Sequence, residues 1–248
     1  LPSLAFGADE VEEVVAVGTR REARSVGDSP APVDIISGSD FVNQGAGDMA
    51  DMIRTMVPSF NVNTQPISDA ATLVRPANLR GLPPDNMLVL VNGKRRHRGA
   101  VISFLGSGIS DGAQGPDISA IPSIALKQVE ILRDGASAQY GSDAIAGILN
   151  FVYNDASEGG RIEIKTGEYA DGDGDILVLA ANIGMPFTAN GFANLSLELS
   201  DTDATSRSVQ RGDAQALYDG GNKSIWNYPN PAQTWGQPEV SDDVKLVA

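Results

Sequence analysis

Alternation of apolar and polar positions dominates the last third of the chain. In residues 161–166, Arg-Ile-Glu-Ile-Lys-Thr, charged side chains alternate strictly with isoleucines and a threonine. Leu177, Leu179, Ala181, Ile183 and Met185 share one parity in the next run. In the run after that, Ala193, Leu195, Leu197 and Leu199 oppose Asn194, Ser196, Glu198 and Ser200. A period of two predicts strands with unlike faces. Asp171–Asp175 and the stretch from Phe187 to Gly191 predict the turns between them, and Thr202–Glu239 is a long polar connection. Val244-Lys245-Leu246-Val247-Ala248 reads as part of a further strand. Strands of this kind suit the wall of a membrane barrel, where about nine to eleven residues cross when tilted, or one face of a soluble sandwich. A short turn followed by a long loop is the barrel's habit.

Upstream the pattern is mixed. Val11 to Arg20 is a short β-prone run, an edge strand or a segment that adds itself to another sheet. Ser29-Pro30-Ala31-Pro32 breaks the chain, and Val33–Ile36 predicts a short strand. Asp48 is placed to cap a helix whose stripe is Met49, Met52, Ile53, Met56 and Val57, and Pro58 stops it. Phe60 to Asn78 reads as an irregular polar loop. Met87–Val91 is continuously apolar, as in a fully buried strand, and Asn92-Gly93 predicts a hairpin turn. Gln128–Leu132 and Ile145–Phe151 are two more strand-like runs. Val129 and Ile131 opposite Glu130 predict a half-buried strand. Gly135, Gly141 and Gly147 stand where the backbone turns tightly or meets a neighbour closely. Asn154–Gly160 reads as a linker.

Composition narrows the chemistry. With 42% apolar residues in 248, the chain can bury a core. A net charge of -14 argues against a nucleic-acid binder, which needs a basic surface. Without cysteine there is neither a disulfide framework nor a thiolate metal site. His97 is the single histidine, too little for a closed metal site or an oriented catalytic base. A calcium loop opening at Asp171 would need glycine and glutamate where Ile176 and Asn182 stand. Gly106 and Gly108 begin a dinucleotide-like pattern, but Asp111 occupies its third glycine position. No cofactor is indicated. The basic run Lys94–Arg98 is either an anion contact or an arm whose arginines meet carboxylates. No apolar run reaches the length of about eighteen residues that a transmembrane helix requires. The start, residues 1–8, reads as a signal-peptide remnant or a flexible terminus, and both ends look truncated.

Two stretches carry a resemblance. Residues 124–153, IALKQVEILRDGASAQYGSDAIAGILNFVY, resemble the closing motif of the plug domain of TonB-dependent outer-membrane receptors. Leu79-Arg80-Gly81, followed by Met87 through Gly93, resembles a second plug motif in the family's order. The resemblance implies an α+β fold: a plug with a small mixed β-sheet and short helices at residues 27–157. Residues 158–248 would then be the first antiparallel strands of a transmembrane β-barrel, incomplete in this chain, with an extracellular loop. Residues 9–26 would hold the TonB box, Glu13-Val14-Val15-Ala16-Val17, which pairs with periplasmic TonB by strand addition; the alternative is the plug's own first strand. Arg80 and Arg133 match arginines that pair with glutamates on the barrel wall. Gly81, Gly93, Gly135, Gly141 and Asn150 fall on the motifs as backbone-geometry residues, and Asn92, Glu130 and Tyr140 lie on the same motifs.

Loops around 61–75 and 99–117 would meet substrate, which offers Asn63, Gln65, Arg75, Arg96, His97 and Gln114 as contacts. The implied function is energised uptake of a scarce nutrient such as a ferric siderophore, cobalamin, carbohydrate or peptide, in contact with outer-membrane lipid and without enzymatic chemistry. The alternative is a soluble plug-like module that binds a ligand or protein. With only three or four strands, the sheet is expected to project from the plug with little support.

Overall fold

The computed structural model describes residues 14–15, 24–25, 32–44, 48–62, 72, 74–103, 108–188, 191–205, 209–222 and 236–248. In chain order the elements are β1 (Val14–Val15), β2 (Arg24–Ser25), β3 (Val33–Ser37), α1 (Gly38–Val42), α2 (Met49–Met56), β4 (Phe60–Val62), β5 (Ala77–Leu79), β6 (Met87–Val91), β7 (Lys94–Arg95), β8 (Leu126–Leu132), α3 (Ser137–Tyr140), β9 (Gly147–Tyr153), β10 (Gly160–Gly167), β11 (Ile176–Thr188), β12 (Gly191–Thr202), α4 (Gly212–Asp219) and β13 (Val240–Val247). One sheet has the order β3-β8-β9-β6-β7, another the order β10-β11-β12-β13.

The first sheet is mixed. β9 runs parallel to β6 and antiparallel to β8, and β3 and β7 pair antiparallel at its edges. Both faces are covered. Val89, Val129, Ile131, Leu149 and Phe151 join one apolar cluster with α2, β4 and β5. Leu88, Leu90, Leu132 and Ile148 join a second with Ala136 and Ala144. The half-buried strand expected at 128–132 is therefore buried on both sides. Glu130, on the face expected to meet water, is 1% exposed.

Helix α2 follows its sequence signals. Asp48 accepts from the amides of Ala50 (2.9 Å) and Asp51 (3.1 Å), and Met49, Met52 and Ile53 are buried. Two expectations about this region need correction, and one element is new. The stretch 60–78 is paired at its ends, with Phe60 opposite Leu79 and Val62 opposite Ala77. All four side chains are buried, so this ribbon closes the core. Strands of three residues carry too few positions for a period to show. The last run of the mixed sheet starts at Gly147, leaving Ile145 outside it and 46% exposed. Helix α1 has no counterpart in the sequence reading: Ser37 and Asp40 form a capping box around its first turn.

In the second sheet each strand pairs antiparallel with the next. Its polarity is inverted relative to a water-soluble sheet. Asn182, Ser196 and Glu198 are buried, as are the small apolar Val178 and Ala180. Leu177, Leu179, Ile183, Leu195, Leu197 and Leu199 face outward, as do Ile162 and Ile164 at 75% and 70% exposure. The sheet does not project unsupported. Its polar face is seated on the N-terminal body, where Ile124 packs against Val178 and Ala180. Lys165 Nζ also donates to the Phe41 carbonyl at 3.0 Å. Helix α4 occupies part of the 202–239 connection, which the sequence reading leaves without a helix. No described helix is long and apolar enough to cross a membrane.

Candidate functional site

The arm that follows β6 is aimed by its turn. Asn92 and Gly93 have φ of 48° and 74°, the two left-handed positions that a tight hairpin demands. Asn92 Oδ1 accepts from the Tyr153 amide at 2.8 Å, and Asn150 Oδ1 accepts from the Gly93 amide at 3.0 Å. Asn150 Nδ2 in turn donates to Glu130 Oε2 at 3.0 Å, and Gln128 Nε2 donates to Oε1 at 2.8 Å. Glu130 and Asn150 are directly opposed across β8 and β9, so a satisfied polar network sits inside an apolar face. Asn150 thus acts through its side chain, not through backbone geometry.

Beyond the turn the basic arm meets carboxylates and carbonyls. Arg95 pairs with Asp143 (2.6 Å) and also reaches the Tyr140 carbonyl. Arg98 lies 3.5 Å from Asp85, and Arg96 Nε donates to the Asp117 carbonyl at 2.8 Å. The Gln114 amide donates to Asp85 Oδ1 (3.1 Å), and Gln114 Nε2 donates to the Gly99 carbonyl (2.8 Å). The glycine-rich loop is folded back on itself, with the amides of Gly99 and Ser103 donating to the carbonyls of Gly115 and Ala113. Arg96, Gln114 and Asp85 share a shallow cleft with Arg95, Arg98 and Asp143. His97 is exposed beside it.

The other candidate loop comes close. Val74 and Pro76 run alongside Gly99 and Gly115, near enough that a Cβ on Gly115 would lie 3.3 Å from the Pro76 side chain. Arg75 itself turns to helix α2, pairing with Asp48 and with Asp51 (3.4 Å); its side chain is 9% exposed. Burial alone would lower its pKa, but the two carboxylates outweigh burial and hold it above the ordinary arginine value. That geometry fits a clip between loop and helix. Asn63 and Gln65 lie outside the described residues.

Of the motif glycines, Gly81 and Gly141 have φ of 69° and 94°, which favours glycine. Gly135 does not; a Cβ there would meet only the Ile145 carbonyl, at 3.4 Å. Gly147 is the most confined: its φ is 142°, and a Cβ would press on the Leu132 carbonyl and lie 2.7 Å from Leu79. Arg80 has φ 56° and donates to the Ala146 carbonyl at 3.4 Å, while Arg133 pairs with Asp34 at 2.6 Å. Among the described residues neither arginine reaches a wall glutamate.

The wall glutamate that does meet the N-terminal body is Glu198, to which sequence reasoning assigns no role. Its Oε2 accepts from the amide (2.9 Å) and hydroxyl (3.2 Å) of Ser123, and its Oε1 accepts from Lys245 Nζ (2.9 Å). The available signal is its place on the polar parity of β12. At the other end of the chain, β1 pairs antiparallel with β2, Val14 opposite Ser25 and Val15 opposite Arg24. Glu13, Ala16 and Val17 lie outside the described residues.

Comparison with known proteins agrees with this geometry. The model of the TonB-dependent receptor plug domain matches residues 25–148. A vitamin B12 transporter of Photobacterium profundum is 25% identical over 83% of this chain and 31% of its own length. A ferric enterobactin receptor of Pseudomonas aeruginosa is 30% identical over 59% of this chain and 19% of its own length. The chain therefore spans less than a third of the length of these curated relatives. Among solved structures, a mutant ferric enterobactin receptor from Pseudomonas aeruginosa in complex with enterobactin superposes with a TM-score of 0.57, at 23% identity, over 71% of this chain and 25% of that one. The siderophore receptor PirA from Acinetobacter baumannii gives 0.51, at 24% identity, over 70% and 24%. These two likenesses concern the fold.

Proposed function

Since the chain belongs to the TonB-dependent receptor plug-domain family of the outer membrane, we propose that it is the plug and first wall strands of a receptor that takes up a scarce nutrient, of the siderophore or cobalamin kind, in an energised step. The observation that carries the reading is the inverted polarity of β10–β13, with leucines and isoleucines outward and Asn182, Ser196 and Glu198 turned onto the plug. Lipid solvates such a face, whereas water penalises it by about 25 cal/mol for each Å² of apolar surface. A soluble binding module has no use for it.

In this reading nutrient meets the cleft between the basic arm and residues 114–116, where Arg96 and Gln114 are the contacts offered, with His97 exposed next to Arg96 in the chain. The work is binding and motion without a covalent step. The segment at Val14–Val15 is extended and joins TonB as an added strand, main chain to main chain.

The test is capture of the chain by the C-terminal domain of TonB, with Val15→Pro as the control. Proline removes a donor and breaks strand addition. Capture that is lost in the control is the expected result. A folded chain that TonB ignores, or that binds equally with proline in place, counts against the energised reading.

A further inference from the structure

The passage from plug to wall, residues 154–159, runs beside a seam of buried polar contacts. Ser123, in the short 3-10 turn ahead of β8, gives both its amide and its hydroxyl to Glu198, which is 3% exposed and also holds Lys245. The Asn154 amide donates to the Ala125 carbonyl at 2.8 Å, and Asn154 Nδ2 donates to Asn182 Oδ1 at 3.2 Å. Asn182 Nδ2 donates to Asn194 Oδ1 (2.6 Å) and Ser196 Oγ (2.8 Å), and Asn194 Nδ2 returns to the Ala156 carbonyl (3.2 Å). Gly184 admits this crossing: its amide donates to the Gly159 carbonyl, and a Cβ there would overlap the Ala156 carbonyl. Ile124, fully buried, fills the space over Val178 and Ala180.

We infer that this seam is a permanent anchor, a hinge on which the plug stays seated while the remainder moves, and not a contact that uptake breaks. The inference rests on the transport reading above. Three features support it. Parting Ser123 from Glu198 gives up two hydrogen bonds to a carboxylate, which are stronger than bonds between neutral groups. The covalent link at 154–159 already confines the plug here, so breaking the seam opens little space. Among the described residues, a contact away from the seam is Lys165 Nζ donating to the Phe41 carbonyl at helix α1, a neutral acceptor where the seam has a buried carboxylate.

The chain has no cysteine, so introduced pairs are unique within it. Ser123→Cys with Glu198→Cys, and separately Ala156→Cys with Asn194→Cys, are placed in the outer-membrane receptor that carries this chain. Both are joined by a short reducible bis-methanethiosulfonate. Uptake of labelled vitamin B12 and of ferric enterobactin, the compounds named for two relatives, is read before and after reduction. The expected result is efficient cross-linking by both pairs and unchanged uptake in the cross-linked state. Uptake that is lost on cross-linking and returns on reduction overturns the hinge, and so does failure of both pairs to cross-link. The second pair leaves Glu198 intact, which separates the hinge from any folding defect of the first. Absence of uptake from the unmodified receptor would overturn the transport reading instead, and the cross-linking yield would still decide the seam.

Discussion

Asn150 joins three strands through one side chain: it accepts from the Gly93 amide beyond β6, lies on β9, and donates to Glu130 on β8. Truncation to alanine leaves the Gly93 amide and one oxygen of a fully buried carboxylate without this partner. Asn150→Ala is therefore expected to destabilise the chain by about 3 kcal/mol, read as a lowered urea midpoint, while Glu130→Gln costs less because no charge is stranded. Tyr153, at the end of the same strand, gives a pH signature. Burial raises its pKa above the ordinary tyrosine value, and the positive charge of Arg96 offsets only part of that. The folded state holds the phenolic proton more tightly than the unfolded chain. The resulting stabilisation is present in full below about pH 10 and is lost as pH rises through the folded value. Unfolding midpoints measured on either side of that pH should fall less in Tyr153→Phe than in the parent.

At the scale of elements, the legible patterns are those where one physical rule spans many residues. β11 and β12 announce themselves because a period of two persists over 13 and 12 residues. Helix α2 is legible because cap, stripe and terminal proline agree. The hairpin at Asn92-Gly93 is legible because few residue pairs tolerate two positive φ values in succession. The β4–β5 ribbon is hidden by its brevity, and the burial of Glu130 by a partner twenty residues along the chain. Periodicity also leaves the direction of the strand faces open. It tells Leu197 from Glu198, but their environments follow from the plug beneath and the lipid reading outside. Leu197→Lys places a charge on the outward face and is expected to cost about 2–4 kcal/mol on insertion into a bilayer. Ser196→Ala, on the inward face, should leave insertion into lipid vesicles unchanged. Equal effects of the two would contradict the assignment of faces.

On the scale of the whole molecule, a plug and a wall sheet share a polar seam, and the contacts that seat one on the other come from distant parts of the described chain. Ser123 belongs to the plug, Asn154 to the passage that follows it, Asn182, Asn194 and Glu198 to β11 and β12, and Lys245 to β13. No local window of sequence contains such a site, which is why Glu198 is legible only as the polar member of an alternating run. The segment at Val14–Val15, proposed to meet TonB, lies far along the chain from this seam, so the loss of TonB binding expected in Val15→Pro and the tolerance expected of a cross-linked seam are independent outcomes.

The edge strand β3 has a mechanical consequence. It lies antiparallel on β8, so Val33 sits against Leu132 while Ser37 sits against Gln128, toward the end of β8 that leads back to Ser123. A pull on the chain ahead of Val33, resisted at the 123–125 turn, acts along the strand axis. The hydrogen bonds lie across that axis, so tension reaches the rungs together in shear and does not peel them one by one. An edge loaded this way withstands small forces and then ruptures in a single step, which gives the plug a yield threshold.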